Sequence, residues 1–169
     1  MADLDEVLAE FGPMLGRVAA MYAPPGADRD DLSQEIAMAL VTALPRHRGD
    51  SSLKTYILRI AHNCGVRRIA RRGAGSAVLD ESHHPAASPS PEREALARQE
   101  VERLARAVRE LPLGSRQVLV LTLEGLSQHE IGEVLGLDEN VVSVRLHRAR
   151  NSLRQRLDEA PQEKGAARG

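Results

Sequence analysis

The 169-residue sequence predicts an all-α protein with two small helical domains joined by a flexible linker, the C-terminal one a helix-turn-helix. The first reason is composition, because the chain has no Trp, one Phe and two Tyr. Leu, Val, Ile and Ala must build the cores, and at helical spacing they favour helices over sheets. The second reason is that residues 73–91 interrupt every apolar pattern. The third is a glycine turn before a basic segment near residue 140.

The linker divides the chain. Thirteen of the 19 residues in 73–91, "GAGSAVLDESHHPAASPSP", are Gly, Ala, Ser or Pro, and no amphipathic stripe crosses them. This composition predicts one domain over residues 1–72, a second over residues 92–158, and a disordered tail over residues 159–169.

The first predicted helix covers about residues 4–22. It is interrupted or restarted near Gly12-Pro13, because proline lacks the N–H that a helix interior needs. After the loop "APPGADRD", Asp30 or Asp31 is expected to cap the next helix by accepting its first free N–H groups.

That second helix, over residues 31–44, carries one apolar stripe and stops at Pro45. The stripe consists of Leu32, Ile36, Ala39, Leu40 and Ala43. The polar turn "RHRGDSS" leads into a third helix from about residue 52 to 72. Its inward residues are predicted to be Leu53, Ile57, Ile60, Ala61 and Cys64, and its opposite face Arg59, His62, Asn63 and Val66.

The second domain begins with a charged amphipathic helix that Pro112 ends. Its predicted inward residues are Val101, Leu104, Ala105 and Val108. The apolar segment "SRQVLVLTLEG" follows, and its β-branched residues would also suit a strand. Ser115 as a cap, together with the helical neighbours, favours a short helix that closes at Gly125.

A helix-turn-helix is predicted next. Ser127 and Glu130 have the spacing of a capping box, Gly136 permits a left-handed turn, and Asp138 is placed to cap a second helix. In such a motif the second helix enters the major groove of DNA.

The second helix of the motif has two contrasting faces. Its buried stripe is predicted to be Val142, Leu146, Ala149, Leu153 and Leu157. The opposite face carries Asn140, Val144, His147, Arg148 and Asn151, with Ser143 and Arg154 at its border. Asn and Arg can pair with base edges, and an outward Val suits a thymine methyl group. Arg145, Arg150 and Arg156 lie nearer the flanks and suit phosphates.

Positive charge gathers in two places, although the formal net charge is −1. Residues 59–72 and residues 140–157 each contain five arginines and no acid. A solvated helix face is one explanation, and two phosphate-binding surfaces are the other, which we favour.

No enzyme, metal site or cofactor is predicted. The sequence lacks a phosphate-cradling Gly loop, a paired-carboxylate layout and a nucleophile elbow. His83-His84 are two neighbouring histidines without further ligands, and His62 with Cys64 suits core packing better than metal binding.

The single Cys64 excludes a disulfide within the chain and fits a reducing compartment. The acids of "MADLDEVLAEF" are unlike a secretory signal, and no apolar run could span a bilayer. We therefore expect a cytoplasmic protein without membrane insertion.

Two long segments resemble a known family. "DLSQEIAMALVTAL…HRGDSSLKTYILRIAHN" resembles the second conserved region of bacterial sigma-70-type initiation factors, and "LPLGSRQVLVLTLEGLSQHEIGEVLGLDENVVSVRLHRAR" resembles their fourth region. With only these two regions and a short linker, the chain is similar to the extracytoplasmic-function (ECF) group.

The resemblance implies a function and a set of partners. It implies a subunit that binds core RNA polymerase, through the β′ clamp helices and the β flap, and directs initiation at promoter DNA under an anti-sigma factor. The implied polymerase-binding residues are Asp31, Gln34 and Glu35, and a helical projection adds Met38, which it places outward beside Gln34. The implied −10 residues are Ser51, Ser52, Leu53, Lys54, Arg59, Asn63 and Arg67, and Asn63 matches a position that holds a flipped base. The implied −35 residues are Asn140, Ser143, Val144, Arg145, His147, Arg148 and Arg150.

Two departures and two alternatives remain at this point. The family usually has Trp where Tyr56 stands. Ser143 and Val144 differ from the family's common recognition-helix pattern, and this difference predicts a different −35 sequence.

One alternative function is that of a conventional helix-turn-helix regulator that acts without polymerase. The other is a polymerase-binding module that does not bind promoters.

Overall fold

The computed structural model describes residues 4–73 and 91–159, and within these ranges every regular element is helical. The elements are α1 (Leu4–Tyr22), α2 (Ala27–Ala43), a 3-10 turn (Leu44–Arg46), α3 (Leu53–Gly73), α4 (Pro91–Arg109), α5 (Leu113–Leu123), α6 (Gln128–Leu135) and α7 (Glu139–Glu159). The predicted all-α class is confirmed. Most of the predicted linker, His83-His84 and nearly all of the predicted tail lie outside the described residues.

Helices α1, α2 and α3 pack against one another as the N-terminal helices. The stripe predicted for α2 is confirmed at Leu32, Ile36 and Leu40, each at most 1% exposed. From α3, Ile57 and Leu58 complete the same core. This packing fixes which faces of α2 and α3 remain outside.

Helix α1 runs through Pro13 without the predicted interruption. Residues on both sides of the proline, including Val7, Met14 and Val18, are buried in one core. Burial of this stripe outweighs the single hydrogen bond that proline removes, because helical stability in proteins comes mainly from packing of the apolar face.

The start of α2 also differs from the prediction. The helix begins at Ala27, with Gly26 as its N-cap and no side-chain cap hydrogen bond. Gly26 has φ 101°, a conformation that favours glycine. Neither Asp30 nor Asp31 caps the helix. Asp28 and Asp30 lie in its first turn, where a negative charge interacts favourably with the positive end of the helix dipole.

The prediction that His62 faces outward is wrong, because its side chain is 2% exposed. The hydroxyl of Tyr22 lies 2.6 Å from His62 Nδ1, and the two rings meet edge to face. Helix α3 packs against both α1 and α2, so its buried sector is wider than one apolar stripe. Cys64 is buried as predicted.

Burial lowers the pKa of His62 to about 4. The unfolded chain, with an ordinary pKa near 6.5, takes up the proton first as the pH falls. The contribution of neutral His62 to the free energy of unfolding is therefore fully present above about pH 6.5 and is lost as the pH falls toward 4. Between pH 7.5 and 5 we expect a loss of about 2 kcal/mol through His62.

Urea unfolding of the wild type and of His62→Gln at both pH values checks this expectation. The variant should lose about 2 kcal/mol less than the wild type over the same interval, because the surface histidines are common to both proteins. Equal losses in the two proteins would contradict it.

The C-terminal helices are α4 to α7, and α4, α5 and α6 each pack on α7. In α4, Ala105 and Val108 are buried as predicted, but Val101 is 53% exposed, so the inward stripe begins later. The apolar segment that could have been a strand is helix α5. Its N-cap is Pro112, and Ser115 lies inside the first turn rather than at the cap.

The helix-turn-helix is confirmed, with its capping box and its glycine turn. Ser127 and Glu130 form the capping box reciprocally, and Gly136 adopts the left-handed conformation with φ 66° and ψ 41°. The hydrogen bond from the Ser127 backbone lowers the pKa of the Glu130 carboxyl. Helix α7 begins directly after Asp138, whose carbonyl accepts from Val142 N–H at 3.0 Å.

Candidate nucleic-acid interface

Helix α7 presents a polar face to solvent because its apolar stripe is committed to the core. Val142, Leu146 and Ala149 are buried, and Leu153 and Leu157 are half-buried. On the other side the exposed residues are Asn140, Ser143, Val144, His147, Arg148, Arg150, Asn151 and Arg154. All the base-facing candidates therefore lie on one accessible surface, as a helix in a major groove requires.

The predicted phosphate-contacting arginines have three different environments. Arg145 is half-buried, and its guanidinium lies beside Gly114 at the start of α5. Arg156 pairs with Glu110 of α4 at 2.8 Å. Arg150 is exposed and makes no ion pair within the described residues. It is therefore the freest of the three to contact a phosphate.

Two residues of this face contact each other. The side-chain amide of Asn151 lies 3.0 Å from Nε2 of His147. An amide donor at this position leaves Nδ1 of the imidazole to carry the proton. His147 would then offer a donor to an acceptor on a base edge.

The start of α3 is a second candidate surface. Ser52 Oγ accepts from Thr55 N–H at 3.1 Å and so caps α3, and it lies 2.8 Å from Thr55 Oγ1. The segment 51–54 immediately precedes and begins α3, with Ser52 and Lys54 exposed and Ser51 and Leu53 half-buried.

Further along α3, the candidate residues differ in accessibility. Asn63 and Arg67 are exposed, and an Arg67 terminal nitrogen lies 3.2 Å from Cys64 Sγ. Arg59 is half-buried, and its Nε has no hydrogen-bond partner among the described residues. Asn63 is therefore free to meet a ligand.

The basic segment over residues 59–72 has fewer unpaired arginines than its sequence indicates. Arg68 contacts the carboxylates of Asp28 and Glu35 at 2.6 and 2.7 Å. Arg71 and Arg72 also pair with acids of α2, at 2.7 Å each. Three of the five arginines in residues 59–72 are thus engaged within the protein, and Arg59 and Arg67 remain for a phosphate surface.

The outward face of α2 combines polar and apolar groups. Gln34 is exposed, and Met38 is 73% exposed, which is unusual for a large apolar residue. Both oxygens of Glu35 are occupied by Arg68 and Arg71. Asp31 is exposed and lies 3.3 Å from Arg68. Exposed methionine beside polar groups is typical of a protein-binding surface.

Sequence reasoning missed the contacts between the N-terminal and C-terminal helices. Arg17 of α1 forms two hydrogen bonds with Glu124, 107 residues away. Arg29 of α2 pairs with Glu102 of α4. No pattern within either segment signals a pair so far apart.

Comparison with known proteins adds the family. The sigma-70 region 2 model matches residues 7–75, and the sigma-70 region 4 model matches residues 101–153. The RNA polymerase sigma factor CnrH of Cupriavidus metallidurans is 32% identical over 163 residues, which cover 90% of this chain and 85% of that protein. The chain belongs to the sigma-70 family.

Other relatives place the sigma factor in the ECF group. The ECF RNA polymerase sigma factor ShbA of Streptomyces griseus is 31% identical over 132 residues, covering 74% of this chain and 69% of that protein. A sigma factor binds core RNA polymerase and directs initiation of transcription at promoter DNA, and this is the function of the chain.

Two solved structures have the same fold. CnrH in complex with the cytosolic domain of CnrY is similar with a TM-score of 0.67 and 29% identity, over 94% of this chain and 89% of that one. The sigma factor RpoE of Bartonella quintana, in complex with the anti-sigma factor NepR, is similar with a TM-score of 0.72 and 20% identity, over 95% of this chain and all of that one.

Residues 4–73 and 91–159 contain no group of three or more His, Cys, Asp or Glu side chains placed to hold a metal ion. The same residues contain no helix long and apolar enough to cross a membrane.

Proposed function

We propose that this sigma factor contacts its promoter at two separate surfaces. Residues 92–158 act as the −35-binding domain, with base contacts from Asn140, Ser143, Val144, His147 and Arg148 and phosphate contacts from Arg145 and Arg150. Residues 1–72 act as the −10-binding domain. In it, residues 51–54 and Asn63 form the pocket for a flipped base, with Arg59 and Arg67 on phosphates.

The exposed face of α7 is the observation that carries this proposal. His147 and Arg148 project from a helix whose other side is locked in the core and whose start is set by the capped turn. A rigid recognition helix needs these properties to hold donors at fixed positions against base edges.

We also propose that the outward face of α2 docks on the β′ clamp helices and that the C-terminal domain meets the β flap. Met38 and Val41, 73% and 53% exposed, supply the apolar contact, and Gln34 supplies polar contact. The ion pairs that occupy Glu35 support a role in shaping this face rather than in direct contact.

An anti-sigma factor is the proposed regulator, acting in the cytoplasm. The support is the relative CnrH, whose solved complex contains the cytosolic domain of a second protein, CnrY. The solved neighbour RpoE is likewise in complex with a protein, the anti-sigma factor NepR.

Run-off transcription tests the promoter assignments. Core polymerase and fragmented genomic DNA, with and without this protein, should yield transcripts from defined start sites. On such a promoter Asn63→Ala should reduce open complexes about tenfold, because roughly 1–3 kcal/mol of base contact is lost. Gln99→Ala, an exposed change on α4, is the matched control and should have no effect.

The conventional-regulator alternative has a distinct outcome. Specific binding to duplex DNA by the protein alone, without polymerase-dependent transcripts, would overturn the assignments to α2 and α3. Transcripts that are insensitive to Asn63→Ala would overturn the flipped-base pocket alone.

A further inference from the structure

Glu139 is an acidic residue at the start of an otherwise basic recognition helix. Residues 140–157 carry five arginines and no acid, whereas Glu139 brings a negative charge to the first turn of α7. Its side chain is 60% exposed. Because DNA phosphates repel a carboxylate, an acid at this place weakens DNA binding unless it has a specific partner there.

Glu139 lies in one row with two of the proposed base-contacting residues. Residues four apart in a helix lie one above the other, so Glu139, Ser143 and His147 share a face of α7. All three are exposed. In a helix-turn-helix the N-terminal residues of the second helix contact base edges, and Glu139 precedes the other two. The carboxylate is therefore on the side of α7 that would face the bases.

A residue of the first helix of the motif holds this carboxylate. Nδ1 of His129, on α6, lies 2.9 Å from Oε1 of Glu139. An ionised carboxylate can only accept, so Nδ1 carries the proton and donates. The other ring nitrogen, Nε2, is 3.8 Å from Glu133, which is beyond hydrogen-bond distance. The hydrogen bond from His129 thus joins α6 to the start of α7.

One oxygen of the held carboxylate remains available. Within the described residues, Oε2 of Glu139 has no hydrogen bond. The hydrogen bond to Glu139 also raises the pKa of His129, which favours a ring that donates from Nδ1. A side chain that is already held through one oxygen loses less conformational freedom when the other oxygen binds a donor.

The simpler explanation for Glu139 is that its charge stabilises the positive end of the helix dipole. That role requires only a negative charge in the first turn, and it requires no partner on α6. The hydrogen bond from His129 adds a fixed direction to the carboxylate. In the major groove a carboxylate accepts from the N4 amino group of cytosine, whereas the N7 and O6 acceptors of guanine repel it.

We propose that Glu139 is a further specificity-determining residue of the −35 contact, which accepts from the N4 amino group of a cytosine, and that His129 is a positioning residue for its carboxylate. The inference rests on the proposed function and deepens it, because it assigns a base to the start of α7. The carboxylate contributes selectivity more than affinity, since it disfavours every base that offers it an acceptor.

Selection by the holoenzyme on a promoter with a randomised −35 element tests the base contact. The full chain and core polymerase form open complexes with the pool, and the DNA of these complexes is sequenced. The wild type should prefer cytosine about tenfold at one position. Glu139→Ala should abolish that preference, and Glu139→Gln should shift it to adenine, because glutamine pairs with adenine N6 and N7. Unchanged preferences at the other −35 positions would show that the motif is folded in both variants.

Substitutions of His129 test the positioning role. His129→Ala should reduce the cytosine preference at the same position to about threefold, because the carboxylate is no longer held before it binds. His129→Asn should retain the preference, because its amide nitrogen replaces Nδ1 as the donor. A merely structural role would weaken the preferences at all positions alike. Glu133→Gln, which removes an exposed acid of α6, is the matched control and should change no preference.

The possible outcomes separate this inference from the proposed function. The same preferences at every position in the wild type and in Glu139→Ala would overturn the base contact. A full cytosine preference in His129→Ala would contradict the positioning role and leave the contact of Glu139 standing. A wild-type holoenzyme that forms open complexes without any −35 preference would reject the proposed function of α7, and this inference with it.

Discussion

Replacing both His147 and Arg148 by alanine is expected to lower run-off transcription from a −35-dependent promoter at least tenfold. Both side chains project from the exposed face of α7. Each well-placed contact to a base edge contributes about 1–3 kcal/mol of discrimination. The fold and the binding of core polymerase should be unchanged, because neither residue contacts the core of the domain or α2.

Two other arginines of the same helix are the controls for that experiment. Arg150→Ala should weaken binding to all duplexes alike. It should also reduce the slope of log affinity against log salt concentration by about one, as expected when one phosphate contact is lost. Arg156→Ala, whose side chain pairs with Glu110, should leave sequence preference unchanged. Full transcription by the double variant would show that α7 does not contact the −35 element through this face.

Substituting Gly65 by valine is expected to destabilise the protein by about 3 kcal/mol. A Cβ atom built on Gly65 would lie 2.4 Å from Cγ of Tyr22. The Tyr22 ring cannot move aside cheaply, because it is buried and its hydroxyl is hydrogen-bonded to His62. A change of this size should lower the Tm by roughly 6–12 °C for a chain of this length.

Glycines with free space provide the comparison. Gly16→Ala in α1 meets nothing within 4 Å and should raise stability by about 0.5–1 kcal/mol, because glycine is costly in a helix interior. Denaturant unfolding followed by circular dichroism measures both variants. An unchanged or higher midpoint for Gly65→Val would contradict the close packing of α1 on α3.

Elements governed by local rules were predictable. The capping box of Ser127 and Glu130, the left-handed Gly136 and the apolar stripe of α7 depend on residues within a few turns of one another, and each was confirmed. A side chain that caps its own helix acts whatever else the chain does, so its spacing in the sequence is sufficient evidence.

The helical projection of α3 assigned His62 to the wrong face because α3 is buried on more than one side. A helical wheel assigns one apolar stripe, but α3 has two neighbours, α1 and α2, and His62 lies in the contact with α1. Polar residues enter such a sector when a partner satisfies them, and Tyr22 is that partner. Its position 40 residues earlier in the chain left no local signal.

The sequence gives the number of charged residues in each segment, but it does not show which of them form ion pairs in the folded protein. The acids of α2 and the arginines at the end of α3 looked like separate acidic and basic surfaces, whereas packing brings them together around Arg68. Opposite charges within hydrogen-bond distance neutralise one another, so a charge run predicts a phosphate surface only where no acid is packed against it.

By itself the sequence determined the all-α class, the helix-turn-helix and the membership of the sigma-70 family, because these depend on periodicity, capping and motifs that are contiguous in the chain. Only the tertiary structure decided which arginines stay free, that His62 is buried, and that Glu124 receives Arg17. These depend on pairs far apart in sequence, and the entropy of closing such loops is offset only once whole helices have packed.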